Sequence, residues 1–166
     1  MRPVLLALFL TLSLIVGPPI TVARAGETAH SAGRFSIWVP DSWTVQALGD
    51  RLIAHNPNDN IQLVVGPIAD KDADLTDEDV RDFVDEELDG MAIAADQMTT
   101  HAGRPARQLQ GTGDDEDEDV VFQAVAIDPA PGLPVITALL YGETGPMARP
   151  EVQQMVARIL ASFRQL

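Results

Sequence analysis

The chain is 166 residues long, carries 11 Lys+Arg against 25 Asp+Glu for a net charge of -14, and has no cysteine. A disulfide framework, a thiolate metal cage, a cysteine nucleophile and a lipid-modified N-terminal cysteine are thereby excluded. So is a nucleic-acid surface, which needs clustered cationic side chains where this chain has a single lysine, Lys71.

Residues 1–25 read as an export signal. Arg2 supplies the positive start, residues 4–16 are almost wholly apolar, Pro18-Pro19 breaks the run, and Ala23-Arg24-Ala25 gives the small-x-small pattern of a cleavage site. An uncleaved anchor is the alternative, but a helix over the 13 residues 4–16 spans only about 20 Å of a hydrocarbon layer of roughly 30 Å. Residues 26–33 show no apolar periodicity and are expected to form a flexible leader, with one domain over residues 34–166. A domain of that size buries roughly two thirds of its unfolded surface without disulfides.

Phe35, Ile37 and Val39 alternate with polar neighbours in the period of a strand, and Pro40-Asp41 stops it. Short strands are expected to follow over residues 44–48, 51–55 and 61–66, with Gly49-Asp50 and the Asn-rich loop 56–60 as turns, forming an antiparallel meander. Over residues 77–95 the period changes. Val80, Phe83, Val84, Leu88, Met91, Ala92 and Ala95 make a helical stripe, with Thr76 as the expected N-cap and acidic residues crowding the first turn. Further strands are expected over residues 97–101, 106–112, 120–127 and 133–141, the last two apolar on both faces and therefore central. A closing helix over residues 149–163 carries Val152, Met155, Val156, Ile159, Leu160 and Phe163 on one stripe, with Pro150 in its first turn. The expected class is α+β, one antiparallel sheet flanked by helices in an α/β/α sandwich.

Phe35-Ser-Ile-Trp-Val-Pro-Asp-Ser-Trp43, Gly103-Arg-Pro-Ala-Arg107 followed by Gly111-Thr112, two long strands, and a helix ending Ile159-Leu-Ala-Ser-Phe163 together resemble the PsbP and DcrB group of extracytoplasmic domains. The resemblance spans nearly the whole chain after the signal. It implies a Mog1p/PsbP-like fold shared by a photosystem accessory protein, a Ran-binding protein and bacterial envelope proteins, whose common theme is support of larger assemblies. Such a fold by itself licenses no reaction. DcrB-type proteins are often lipoproteins, and this chain has no cysteine to acylate.

Asp70, Asp72 and Asp74 alternate like the first half of a calcium loop, but Leu75 stands where the turn needs glycine and Arg81 where a bidentate Glu belongs. The run 114–119 is six successive carboxylates, with Asp114, Asp115, Asp117 and Asp119 among them. It is either a weak calcium site, a surface for a basic partner, or an open mobile hairpin loop held apart by its own charge. High acidity with one lysine also suits a salty environment. Trp38 points away from Phe35 and Ile37 in a regular strand, so it either anchors a partner or packs under a helix. Trp43 is expected to plug the core. Arg104 and Arg107 either take a carboxylate ligand or pair with the chain's own acids.

The remaining inventory is thin for an enzyme. Ser31, Ser36, Ser42 and Ser162 lie outside any Gly-x-Ser-x-Gly elbow, and His30, His55 and His101 form no His-Glu-x-x-His helix. The sequence therefore reads as a periplasmic or secreted, non-enzymatic domain without a cofactor, which binds or supports another envelope or secreted protein. A calcium-responsive acidic module and a carboxylate-based hydrolase are the competing readings.

Overall fold

The computed structural model describes residues 26–30, 33–58, 60–68, 75, 77–128 and 130–166. The export signal, Thr76 and the Asp70, Asp72 and Asp74 set lie outside the described residues. The strands β3 (Thr44–Leu48), β4 (Arg51–His55), β5 (Ile61–Pro67), β6 (Asp89–His101), β7 (Arg104–Asp115), β8 (Glu118–Ile127) and β9 (Ile136–Glu143) form one antiparallel sheet in the order β3-β4-β5-β9-β8-β7-β6. Burial follows the apolar runs. Leu63, Val64 and Val65 of β5 and Ile136, Ala138, Leu139 and Leu140 of β9 are 0% exposed, as strands covered on both faces must be.

On one face α1 (Asp77–Asp85) lays Val80, Phe83 and Val84 against Val64, Leu109, Phe122 and Leu139. On the other, α3 (Pro150–Ser162) places Val156, Ile159 and Leu160 against the alternate sheet residues, with the short α2 (Thr144–Met147) leading into it. Pro150 opens α3 at a position where a missing N–H costs nothing. No described helix is long and apolar enough to cross a membrane.

Three local expectations are corrected. The helix over residues 77–95 ends at Asp85, and β6 begins at Asp89. Gly90 adopts a positive φ of 59°, which redirects the backbone, and Met91 and Ile93 are then half-buried while Ala92 and Ala94 are exposed. That is the period of a strand; the alanines at 92 and 95 completed a helical stripe only by coincidence.

Second, Phe35–Val39 (β2) does not join the meander. Trp43 N–H donates to Pro40 O at 3.0 Å, closing a turn that lifts the strand away. It pairs instead with Gly26–His30 (β1) and Arg164–Gln165 (β10) in a separate sheet ordered β1-β2-β10. Third, residues 26–30 of the expected leader are therefore a strand, in register from Gly26 opposite Val39 to His30 opposite Phe35.

Leu139, fully buried at the sheet centre, tests this packing. Leu139→Ala should cost about 3 kcal/mol, read as a lower urea midpoint with an unchanged slope.

Candidate functional site

The groove of interest forms where β2, the last turn of α3 and the β6–β7 turn meet. Trp38 projects from the side of β2 opposite the buried Phe35 and Ile37, as period two requires. Its backbone N–H donates to Ser162 Oγ at 2.7 Å, and Ser162 in turn donates to Ile159 O at 2.6 Å, so the strand is fastened to the helix end. The guanidinium carbon of Arg158 stands 3.9 Å from the centroid of the Trp38 ring. That cation–π stack is worth about 0.5–1 kcal/mol where solvent reaches it. Trp38, Ala102, Arg158, Ala161, Ser162, Phe163 and Arg164 line a groove of about 360 Å³.

Phe163 fixes the floor. Fully buried, it meets Phe35 edge-on with ring centroids 6.3 Å apart, and its carbonyl accepts a hydrogen bond from His101 Nε2 at 2.7 Å. Arg164 Nε donates to Ser36 Oγ at 3.0 Å. Ser36, Ser162 and His101 are thus engaged in holding the groove together.

The structure separates the two arginines of the sequence motif. Arg107 grips Asp96 through Nε at 2.8 Å and a terminal nitrogen at 2.7 Å, while its other terminal nitrogen donates to Leu75 O at 3.2 Å. It works as an internal tie between β7, β6 and the approach to α1. Arg104 lies opposite His101 in the β6–β7 hairpin, with a buried Nε that meets no hydrogen-bond acceptor. Arg51 is held by Glu86 at 2.7 Å and Glu87 at 2.8 Å. These ion pairs sit on α1's side of the sheet. Among the described residues, no carboxylate lies within ion-pair distance of Arg158.

The acidic run is a tight hairpin, which corrects the open-loop alternative among its readings. β7 and β8 stay paired to the last position, Asp115 opposite Glu118 and Asp114 opposite Asp119, and Glu116 and Asp117 make the turn with φ of 49° and 72°. Such a two-residue turn matches the twist of the strands it joins, which is why the ladder persists despite the charge. Alternation then divides the carboxylates. Asp114 and Asp119 share one face, Asp115 and Glu118 the other, and Asp117 sits at the tip. Among the described residues, no three His, Asp or Glu side chains are grouped to hold a metal ion.

Trp43 is buried, as its place after the Pro40 turn implies. Arg158, Ser162 and Arg164 are the groove residues that sequence reading misses. No local signal marks them, because Trp38 and Ser162 meet across 124 positions of the chain.

No protein-family model matches the chain, and no curated protein matches it in sequence. Solved structures do match. Cyanobacterial PsbP (CyanoP) from Synechocystis sp. PCC 6803 aligns with a TM-score of 0.57 at 14% identity over 91% of this chain and 99% of that one. The Ran-binding protein Mog1p of Saccharomyces cerevisiae gives 0.57 at 11% identity over 86% and 95%. The chain has the PsbP/Mog1-like fold. LpqN of Mycobacterium tuberculosis, described as involved in cell envelope biogenesis, gives 0.53 at 16% identity over 89% and 88%.

Within the PsbP/Mog1-like sheet, the hairpin end stores electrostatic strain. Burial, then the neighbouring Glu116 and Glu118, raise the pKa of Asp115 above its ordinary 3.8. Burial also raises Glu87, and burial with the charge of Asp115 raises Tyr141. Because the folded state holds the Asp115 proton more tightly, this group stabilises the fold fully below pH 3.8 and loses that contribution as pH climbs through the raised value. Asp115→Asn should therefore raise the thermal midpoint at pH 7. Relief of a cross-strand like-charge pair is worth about 0.5 kcal/mol, or roughly two degrees. The gain should vanish in melts at pH 3.

Proposed function

We propose that the protein is a non-catalytic domain of the cell envelope or exterior, which captures a protein partner by a carboxylate-bearing segment seated on the Trp38–Arg158 stack. The observation that carries the reading is the state of Arg158. In a chain with more than twice as many acids as bases, this guanidinium is held over an indole at the mouth of a groove and not by a carboxylate. A half-exposed tryptophan with an arginine on its face combines the two residue types that most often anchor interfaces.

Two further facts support it. Ser162, Ser36 and His101 are committed to structural hydrogen bonds, which leaves the groove with recognition groups and not a nucleophile with its base. Among proteins of the same fold, one is named for binding Ran and another for a part in envelope biogenesis. The export-signal pattern of residues 1–25 supports placement outside the cytoplasm.

The test is affinity capture of envelope proteins on the purified protein, run beside Trp38→Ala and Arg158→Glu. A true partner should be retained by the parent and lost at least tenfold by both variants. Their thermal midpoints should stay within a few degrees, since a surface stack contributes about 1 kcal/mol or less. Equal retention by all three proteins would overturn the assignment.

A further inference from the structure

β6 is the long edge strand of the seven-stranded sheet. Among the described residues β6 pairs with β7 alone, and from Ala94 to Thr100 every residue is exposed. Register irregularities between Asp89 and Ala92 and between Ile93 and Ala95 disturb its start. From Ala95 opposite Gln110 to His101 opposite Arg104 the ladder then runs unbroken. An exposed strand edge presents unpaired N–H and C=O groups, and proteins usually blunt it with lysine, proline or charge. Residues 94–100 contain neither lysine nor proline, and their one charge, Asp96, is already neutralised by Arg107. This is an uncharged edge on a molecule of net charge -14.

We propose that this edge pairs with the same edge of a second copy, antiparallel about a two-fold axis at Gln97, joining two sheets into one. The sequence is self-complementary in that register. Gln97 faces Gln97 of the other copy, Asp96 faces Met98, Ala95 faces Thr99 and Ala94 faces Thr100, so no two carboxylates are directly opposed. Within each copy, Gln97 Nε2 already reaches Gln108 Oε1 at 3.4 Å, and the pairing extends that row of amides across the axis. Met98, 59% exposed in the single chain, gains cover over Asp96 of the other copy. A foreign charged strand would find no free charge to read here, because Asp96 is occupied. The opposite edge, β3, offers only five residues, bounded by the Gly49-Asp50 turn. A pair of seven-residue edges lies at the small end of specific interfaces, so association is weak, and salt strengthens it by screening the repulsion of two acidic bodies.

The absence of cysteine makes the register directly testable. Directly opposed residues of an antiparallel pair have Cβ atoms about 4.5–5.5 Å apart, close to disulfide reach. Gln97→Cys should therefore form a disulfide-linked dimer under mild oxidation at least tenfold faster than Thr99→Cys. Thr99 is equally open and on the same face, but the register puts it roughly 14 Å from its counterpart. Sedimentation of the cysteine-free parent should show a reversible dimer that tightens from low to moderate salt, and Gln97→Glu should weaken it at least tenfold. Equal cross-linking at both positions, a parent that stays monomeric at millimolar concentration, or an edge occupied by a different protein would overturn the proposal.

Discussion

The groove depends on how the end of α3 is pinned at Phe163. The Phe163 side chain fills the space beneath β2, the residue's carbonyl accepts a hydrogen bond from His101 Nε2, and the chain beyond it adds β10 to β2 through Arg164 opposite Ser36 and Gln165 opposite Phe35. Three segments far apart in sequence are locked at one point. Without that lock, nothing would hold Arg158 over Trp38, because the stack itself contributes too little to order a helix end and a strand. Gln165 extends the clamp by donating to Pro134 O at 3.3 Å and accepting from Ala130 N at 3.1 Å.

Charge is sorted by the same architecture. On α1's side, arginines and acids are consumed by one another, with Arg51 on Glu86 and Glu87, and Arg81 and Arg107 on Asp96. Surface pairs of this kind add little stability each, so their effect lies in leaving few unsatisfied charges near β6. The excess acid is carried elsewhere, notably at the β7–β8 hairpin, where repulsion is tolerated because the two-residue turn keeps the strands in register. Among the described residues, Arg158 is thus left stacked on Trp38 while Asp96 on β6 is paired with arginine.

Much of the fold was legible locally. Period two located β2, turn residues marked off β3, β4 and β5, runs apolar on both faces located β8 and β9, and Pro150 with the stripe through Leu160 located α3. Errors fell where two periods fit the same residues. Met91 suits a helix or a strand, and small exposed alanines at 92 and 95 carry no burial signal to decide between them. The outward side of Trp38 was readable from alternation, but its arginine neighbour was not, because only the tertiary path of α3 brings Arg158 to it. For Arg107 the sequence allowed both an external and an internal carboxylate, and the fold chose Asp96. β10 has two residues, too few for any periodic signal.

The two tryptophans report directly on whether the groove takes an acidic segment, since Trp38 borders the groove and Trp43 is in the core. The decisive measurement is a two-dimensional ¹H–¹⁵N spectrum of the indole N–H groups during titration with an acetylated tetraglutamate peptide at physiological salt, with tetraglutamine as control. Capture at the groove shifts the Trp38 indole signal saturably with the acidic peptide alone, leaves the Trp43 signal fixed, and disappears in Arg158→Glu. An unmoved Trp38 signal, or the same shift with tetraglutamine, would contradict it.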